Sequence, residues 1–336
     1  MKVLVTGGAG FIGSHLCESL LRQGEGVAVI DDLNDFYDPA LKRQNLNRIV
    51  ERGGMFYPAD LRHKRAIFQV FRQERPDVVV HLGARAGIRP SLLQPELYVS
   101  TNVLGTLNVL EAMREHGVPK LVFASSSSVY GNRSRVPFSE SDPVGQPVSP
   151  YAATKLAGEQ LVHTYSHLYG IGAVCLRLFT VYGPRQRPDL AIHKFYTLML
   201  ERKPVPLYGD GTTSRDYTYV SDVIRGIRAS IQLRARFEII NLGGGSPVLA
   251  CDLIRAIAKV LGVSPALEML PPQPGDVDRT CADVAKAKSL LGFAPEVSLM
   301  SGLALFHKWY REECSPPRPF LALPVPVESP IEGLSA

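Results

Sequence analysis

The sequence predicts an α/β fold, a doubly wound parallel sheet with a smaller, interleaved C-terminal α/β domain. Three observations carry the prediction. Short β-branched runs alternate with helical patterns over the first 180 residues, a glycine-rich turn follows the first run, and the alternation loosens after about residue 180. A parallel connection needs a crossover, usually a helix, so strict alternation specifies a parallel sheet covered on both faces.

KVLVT opens the series and leads into a helix over 11–24. VAVID is followed by a helix near 40–51, GGMFYPA by one over 63–73, DVVVHL by one over 96–116, LVFAS by one over 151–169, and AVCLRLF closes the run. Prolines at 184, 188, 204 and 206 then interrupt the pattern, leaving a short strand near 216–219 and helices near 220–232 and 249–261. The expected division is 1–180 with 216–245 as one domain and 181–215 with 246–316 as the other. Residues 317–336 are dense in proline and aperiodic, which predicts a poorly ordered tail.

Composition narrows the function. With 336 residues, 45% hydrophobic and 21% charged, the chain belongs with soluble globular proteins. No apolar run reaches the eighteen residues of a membrane helix, and the start lacks the pattern of a signal peptide, so a cytoplasmic protein without membrane contact is expected. A net charge of +5 without a basic block argues against a nucleic-acid surface. Cys17, Cys175, Cys251, Cys281 and Cys314 are widely spaced with no CxxC, suggesting neither a disulfide framework nor a zinc cage. His163 and His167 have metal-ligand spacing, but no Glu follows His163 as HExxH requires; an ordinary helix surface and no metal are expected.

Gly7, Gly10 and Gly13, with Phe11 and Ile12 between them, follow the first strand and open the first helix. Glycine lets backbone N–H groups approach a pyrophosphate, and the helix N-terminus offers positive partial charge. The second strand ends in Asp31, 18 residues after Gly13, where a carboxylate accepts from an adenosine ribose hydroxyl and repels a 2′-phosphate. NAD is therefore expected over NADP. Asp32 and Asn34 extend this strand end, Asp60-Leu61 follow the third strand and Leu82-Gly83-Ala84 the fourth, all where further cofactor contacts fall; Asn102 is an added candidate on the next helix.

Tyr151 and Lys155 are spaced i, i+4 behind Pro150, so both face one side of a helix. A tyrosine acting as base at pH 7 must fall from a pKa of about 10 toward neutrality, and a nearby ammonium with a positive nicotinamide favours the phenolate. YxxxK alone carries little weight. It gains weight from Ser126, 25 residues earlier at a strand end in SSSSVYG, where a hydroxyl reaches the reacting oxygen.

From TGGAGFIG through ADL, HLGA, SSSSVYG, YAATK, RLFTVYGP and GDGTTSRDYTYVSD to QPGDVDRTCAD, about residues 1–310, the chain resembles the extended short-chain dehydrogenase/reductases (extended SDR, Rossmann fold). Within them it resembles the nucleotide-sugar epimerases and dehydratases. The resemblance implies a tightly held NAD⁺ that takes a hydride from C4 of a UDP-sugar while Tyr151 removes the O4 proton. The 4-keto sugar then turns over and receives the hydride on its other face. It also implies a homodimer formed through the helices at 96–116 and 151–169.

Dehydratases of the family carry an Asp-Glu pair at the positions of Ser127 and Ser128, and UDP-glucuronate decarboxylases a glutamate at Ser128. This chain has neither, which leaves epimerisation. Ser127, Ser128 and Thr180 are expected to donate to a substrate carboxylate, whose burial needs several charge-assisted bonds. NLNDFYDPAL, RLFTVYGPRQRPD and QPGDV look more like UDP-glucuronate 4-epimerases than UDP-glucose 4-epimerases. GDGTTSRDYTYVSD is the general form, shared with UDP-glucose epimerases and decarboxylases. Arg215 and Asp276 match positions that grip the UDP diphosphate and ribose, and Arg187 and Arg89 are candidates near the sugar. The alternatives are a UDP-glucose or UDP-N-acetylglucosamine 4-epimerase, a UDP-glucuronate decarboxylase, and a non-catalytic NAD-binding protein.

Overall fold

The computed structural model describes residues 1–272 and 275–314. The tail expected at 317–336, and Gln273 and Pro274 of the QPGD motif, lie outside the described residues. The first half alternates as the sequence predicts: β1 (Lys2–Thr6), α1 (Phe11–Leu21), β2 (Gly26–Asp31), α2 (Pro39–Val50), β3 (Met55–Pro58), α3 (Lys64–Glu74) and β4 (Val78–His81). Two short helices, α4 (Ile88–Leu93) and α5 (Pro95–Tyr98), then lead through a π-helical turn, Val99–Leu104, into α6 (Gly105–His116). After β5 (Lys120–Ser126) come a 3₁₀ turn, Ser127–Tyr130, the long α7 (Pro150–Tyr169) and β6 (Gly172–Leu178). The helix expected over 96–116 is thus three pieces, because the π turn inserts an extra residue that apolar spacing does not register.

The remainder holds β7 (Thr180–Tyr182), α8 (Ala191–Leu200), β8 (Val205–Tyr208), β9 (Ser214–Tyr219), α9 (Val220–Gln232) and β10 (Phe237–Leu242). It continues with β11 (Pro247–Leu249), α10 (Ala250–Leu261), β12 (Leu267–Leu270), α11 (Ala285–Leu291) and α12 (Leu299–Trp309). Seven strands form one parallel sheet in the order β10-β6-β5-β4-β1-β2-β3. Its edge strand β10 falls within the 216–245 span expected for this domain and is entered through α9, the helix expected near 220–232. Two small sheets, β11-β9-β7 and β12-β8, stand beside it.

Strand alternation explains the layers. Val3, Val5, Val27, Val29, Val78 and Val80 point to one face, where α1, α2 and α9 cover them. Leu4, Ala28, Ile30, Val79, Leu121 and Phe123 point to the other, under α3, α6 and α7. Buried on both faces, these strands read as continuous apolar runs. Asp216 of β9 holds the later segments together, accepting from the backbone N–H groups of Gly244, Gly245 and Ala282 at 2.5, 3.0 and 2.8 Å. Among the described residues no helix is long and apolar enough to cross a membrane.

Candidate active site

The strand order runs outward from β1 in both directions, to β2-β3 and to β4-β5-β6. Such a reversal opens a crevice at the carboxyl ends of the strands. Here it is a cavity of about 1390 Å³, lined by residues from Gly7 to Arg279. Single-ligand pockets occupy about 300–1,000 Å³, so this one has room for two ligands.

At one end backbone packs directly on backbone. A Cβ on Gly13 would lie 2.2 Å from the Gly7 carbonyl oxygen, and one on Gly7, whose φ is +71°, would lie 2.7 Å from the Gly83 nitrogen. Gly10 occupies the N-cap of α1. Asp31 accepts from Ala9 N at 3.1 Å and Leu33 N at 3.0 Å, one bond per oxygen, leaving each oxygen a lone pair beside the cavity. Burial pushes its carboxyl up, opposed by the Lys42 charge and these two bonds. Asp32 Oδ1 accepts from the Asn34 backbone N–H at 3.1 Å and from its Nδ2 at 2.5 Å. Phe11, Ile12, Leu61, Leu82, Gly83 and Ala84 complete this wall. A cradle that excludes any Cβ and a strand-end carboxylate with free lone pairs fit a dinucleotide's pyrophosphate and ribose.

Two expected contacts differ. Asp60 lines the cavity, but its carboxylate is already chelated by Arg62 at 2.6–3.1 Å. Asn102 does not line it: its amide bonds the backbone N and O of Arg85 and Thr154 Oγ1, at 2.8–3.0 Å. The π turn rotates Asn102 into this bracing role between the loop after β4 and α7. Lys42 and Arg85 line this part of the cavity and are not among the sequence candidates. Lys42 Nζ donates to the Asn34 carbonyl at 2.8 Å, and Arg85 Nη1 to Asn34 Oδ1 at 3.3 Å. Arg85 directly follows HLGA; Lys42 has no motif around it.

Beneath this end His81 is fully enclosed, its Nδ1 2.6 Å from Thr6 Oγ1 and its Nε2 3.0 Å from Thr106 Oγ1. Burial drives its pKa down to about 3, with the Lys155 charge adding to the effect. It is neutral at any ordinary pH.

At the end of β5, Ser126 caps the 3₁₀ turn: its Oγ accepts from Ser128 N and donates to Ser128 Oγ, both at 3.1 Å. Pro150 starts α7 behind Ser149, whose Oγ accepts from Ala152 N at 3.2 Å, so Tyr151 and Lys155 sit in the first two turns. Lys155 Nζ donates to the Ala124 carbonyl at 2.7 Å. Burial lowers its pKa to about 8, opposed by Glu159, so the ammonium persists at pH 7. Burial raises the Tyr151 phenol, while the Ser126 hydroxyl and the Arg187 charge pull it down. Arg187, expected near the sugar, is thus also a cation that acts on the phenol. Ser128 and Thr180 line the cavity, whereas Ser127 does not.

Arg187 and Arg89 line the cavity with Arg215 and Asp276, the last three at the other end and Arg187 between the ends, 5.1 Å over the Phe36 ring. None of the first two is a free cation. Arg187 chelates Asp189 at 2.9 and 2.7 Å, and Arg89 pairs with Asp276 at 3.1 Å while stacking 4.7 Å over the Tyr208 ring. Arg215 donates to the Ser214 carbonyl at 3.0 Å. Lys194, Tyr208 and Arg279 also line this end and were not anticipated. Far from it, His163 packs edge-on against Phe237, 4.8 Å between centroids.

A family model described as the NAD dependent epimerase/dehydratase family matches residues 3–243. A UDP-glucuronate 4-epimerase of Thermodesulfobacterium geofontis is 45% identical over 311 residues, 92% of this chain and 96% of that protein. The crystal structure of UDP-glucuronic acid 4-epimerase from Bacillus cereus, in complex with UDP-glucuronic acid and NAD, is 39% identical. It superposes with a TM-score of 0.87 over 93% of this chain and 99% of that one. A UDP-glucose 4-epimerase from Thermotoga maritima with UDP-glucose reaches the same TM-score of 0.87 at 34% identity, covering 93% and 99%. With a family model spanning most of the parallel sheet and relatives aligned along nearly the whole chain, the protein belongs to the NAD dependent epimerase/dehydratase family.

Proposed function

We propose that the protein is an NAD-dependent UDP-glucuronate 4-epimerase, interconverting UDP-glucuronate and UDP-galacturonate. The observation that carries this reading is the end of β5, where Ser126 and Ser128 face the cavity beside Tyr151 and no carboxylate stands among the four serines. Dehydration across C5 and C6 needs an acid and a base there, and hydroxyls supply neither at neutral pH. Hydroxyls do donate to a carboxylate without repelling it. Of the relatives reported, the two named for UDP-glucuronate are the more similar in sequence, at 45% and 39% identity against 34% for the one named for UDP-glucose.

In this reading residues 1–180 and 216–245 hold the dinucleotide, and 181–215 and 246–316 the UDP-sugar. Gly7, Gly10, Phe11, Ile12 and Gly13 receive the pyrophosphate, and Asp31 the adenosine ribose. When bound, NAD supplies an acceptor that takes the C4 hydrogen with its electron pair and later returns it, together with positive charge near the phenol. Tyr151 takes the O4 proton of the sugar and gives it back after the 4-keto sugar has turned over. Ser126 hydrogen-bonds that oxygen, and Lys155, anchored on the Ala124 carbonyl, holds an ammonium beneath the site. Ser128 and Thr180 donate to the C5 carboxylate and keep it away from the perpendicular orientation in which a β-keto acid loses CO₂. Arg215 and Asp276 hold the UDP. Two copies pair through the helices over 99–116 and 150–169, where Leu104 of the π turn and Leu168 and Tyr169 at the end of α7 are exposed.

Incubation with UDP-glucuronate, with products resolved by ion-pairing chromatography, is expected to give UDP-galacturonate. UDP-xylose or a pentose 4-ketone as main product overturns the reading. UDP-galactose formed from UDP-glucose faster than UDP-galacturonate from UDP-glucuronate moves the substrate to the alternative, which the general form GDGTTSRDYTYVSD favours. Tyr151→Phe is expected to lower kcat at least about 100-fold, the scale of a lost general acid–base; a non-catalytic binding protein would be indifferent.

A further inference from the structure

Ser125, a serine of SSSSVYG given no part in the chemistry, lines the cavity while its hydroxyl is engaged by a buried ionic cluster. Its Oγ donates to Glu159 Oε1 at 2.5 Å. Glu159 is chelated by Arg177 of β6, at 2.9 and 2.8 Å, and both side chains are 1% exposed. Ser125 and Arg177 are register partners on adjacent strands. The Arg177 guanidinium also lies 4.7 Å over the Tyr130 ring, whose hydroxyl donates to Asn241 Oδ1 at 2.7 Å. The cluster therefore joins α7, β5, β6, the 3₁₀ turn and β10.

Its placement repeats that of Lys155. Lys155 and Glu159 are four apart on α7, on one face. Lys155 reaches the carbonyl of Ala124, and Glu159 reaches the side chain of the next residue, Ser125. Consecutive residues of β5 thus receive consecutive turns of α7, and any slide or rotation of the helix breaks both attachments. A buried ion pair contributes little net stability over an apolar pair of equal volume, and its best-attested use is to fix register. We infer that Glu159 is a positioning residue for Lys155, holding its turn of α7 against the end of β5 through Ser125 and Arg177. This rests on the assignment of Lys155 to the reaction.

The charged and titratable groups around Lys155 are few. His81 faces it from β4 and is neutral, Tyr151 and Glu159 share its helix, Arg177 stands behind Glu159 on β6, and Arg187 acts from beyond Tyr151. Among the described residues Glu159 is the carboxylate that favours the ammonium. Removing it disfavours the charged form, so the titration of Lys155 moves to lower pH.

The test is Glu159→Gln in the NAD-loaded protein, read by lysine NMR titration and by the pH profile of kcat. The expected result is a downward shift of the Lys155 titration and of the alkaline limb by about one pH unit or more. A fall in kcat of at least about tenfold accompanies it, as for a displaced catalytic group. Glu159→Asp, which keeps the carboxylate, is expected to restore the titration. Where Glu159→Gln does not accumulate folded, the double variant Glu159→Gln, Arg177→Met removes both buried charges and is read the same way. A wild-type titration and profile in either folded variant overturns the inference, as does a lower kcat with no shift. Activity surviving in Lys155→Met overturns the assignment of Lys155 instead, so the two failures are told apart.

Discussion

The two ends of the cavity are built by different means. At the dinucleotide end the cradle is backbone: the turn after β4 approaches Gly7 too closely for a Cβ, and within the first turn Gly13 has no space for one against Gly7 and Gly8. Beyond it, where the sugar is proposed to bind, the walls are side chains engaged with one another, Arg187 with Asp189 and Arg89 with Asp276. Both of those pairs reach solvent, Arg89 being 45% exposed. Backbone construction is rigid and tolerates no volume. Side-chain construction is replaceable piece by piece, and that is where one substrate can be exchanged for another while the chemistry stays.

The sharpest way to break this contrast is Gly13→Val. Its Cβ meets the Gly7 carbonyl oxygen at 2.2 Å, a clash with backbone that no rotamer relieves. The expected outcome is complete loss of co-purifying NAD, assayed by chromatography of the denatured protein. A destabilisation of roughly 1–3 kcal/mol, the usual cost of overpacking, is expected in denaturant titration. A Gly13→Val protein that purifies with stoichiometric NAD would show the cradle is not close-packed.

At the other end the double substitution Ser128→Ala with Thr180→Ala leaves the cradle untouched. Hydrogen bonds to a charged group are worth about 1.5–3 kcal/mol, so KM for UDP-glucuronate is expected to rise at least about tenfold, with more decarboxylated by-product. UDP-glucose, which has no carboxylate, should be affected several-fold less. Equal losses for both sugars would remove these hydroxyls from carboxylate recognition.

The smallest effect is an acid sensitivity greatest at the dinucleotide end, burial also lowering the pKa of His193 in α8. His81 under the cradle and His15 in α1 are both held near a pKa of about 3, against 6.5 when unfolded, chiefly by burial. A base whose folded pKa is depressed gives stability that is whole above 6.5 and is lost as pH falls from there toward 3. Hydrogen exchange compared between pH 7 and pH 5 is expected to show protection declining in β1, β4 and α1 before it declines in β8 and β12. The reverse order would place the acid-labile element elsewhere.

The same contrast explains what could be read in the sequence. Glycine spacing, strand-end carboxylates and a Tyr/Lys pair one turn apart are local signals, and the elements that carry them form where expected. The small sheets are not local: β7 pairs with β9 and β8 with β12, strands of three to six residues joined across long stretches. Nor is ion pairing local. Arg89 and Asp276 are 187 residues apart, and no pattern in either segment announces the other. Asn102 shows a third limit, since a single π turn redirects an otherwise plausible ligand into bracing Arg85 and Thr154.

The cavity draws its walls from opposite ends of the chain, Gly7 in the first turn and Asp276 far downstream. During synthesis β1 to β6 and their crossovers leave the ribosome first, and domains fold as they emerge. The sheet beneath the cradle also needs α9 and β10, which follow Arg215, so its domain closes after Arg215 has emerged and before Asp276 has. A nascent chain can thus close its parallel sheet before Asp276 is made, so the last wall of the cavity to appear is the one that Asp276 lines.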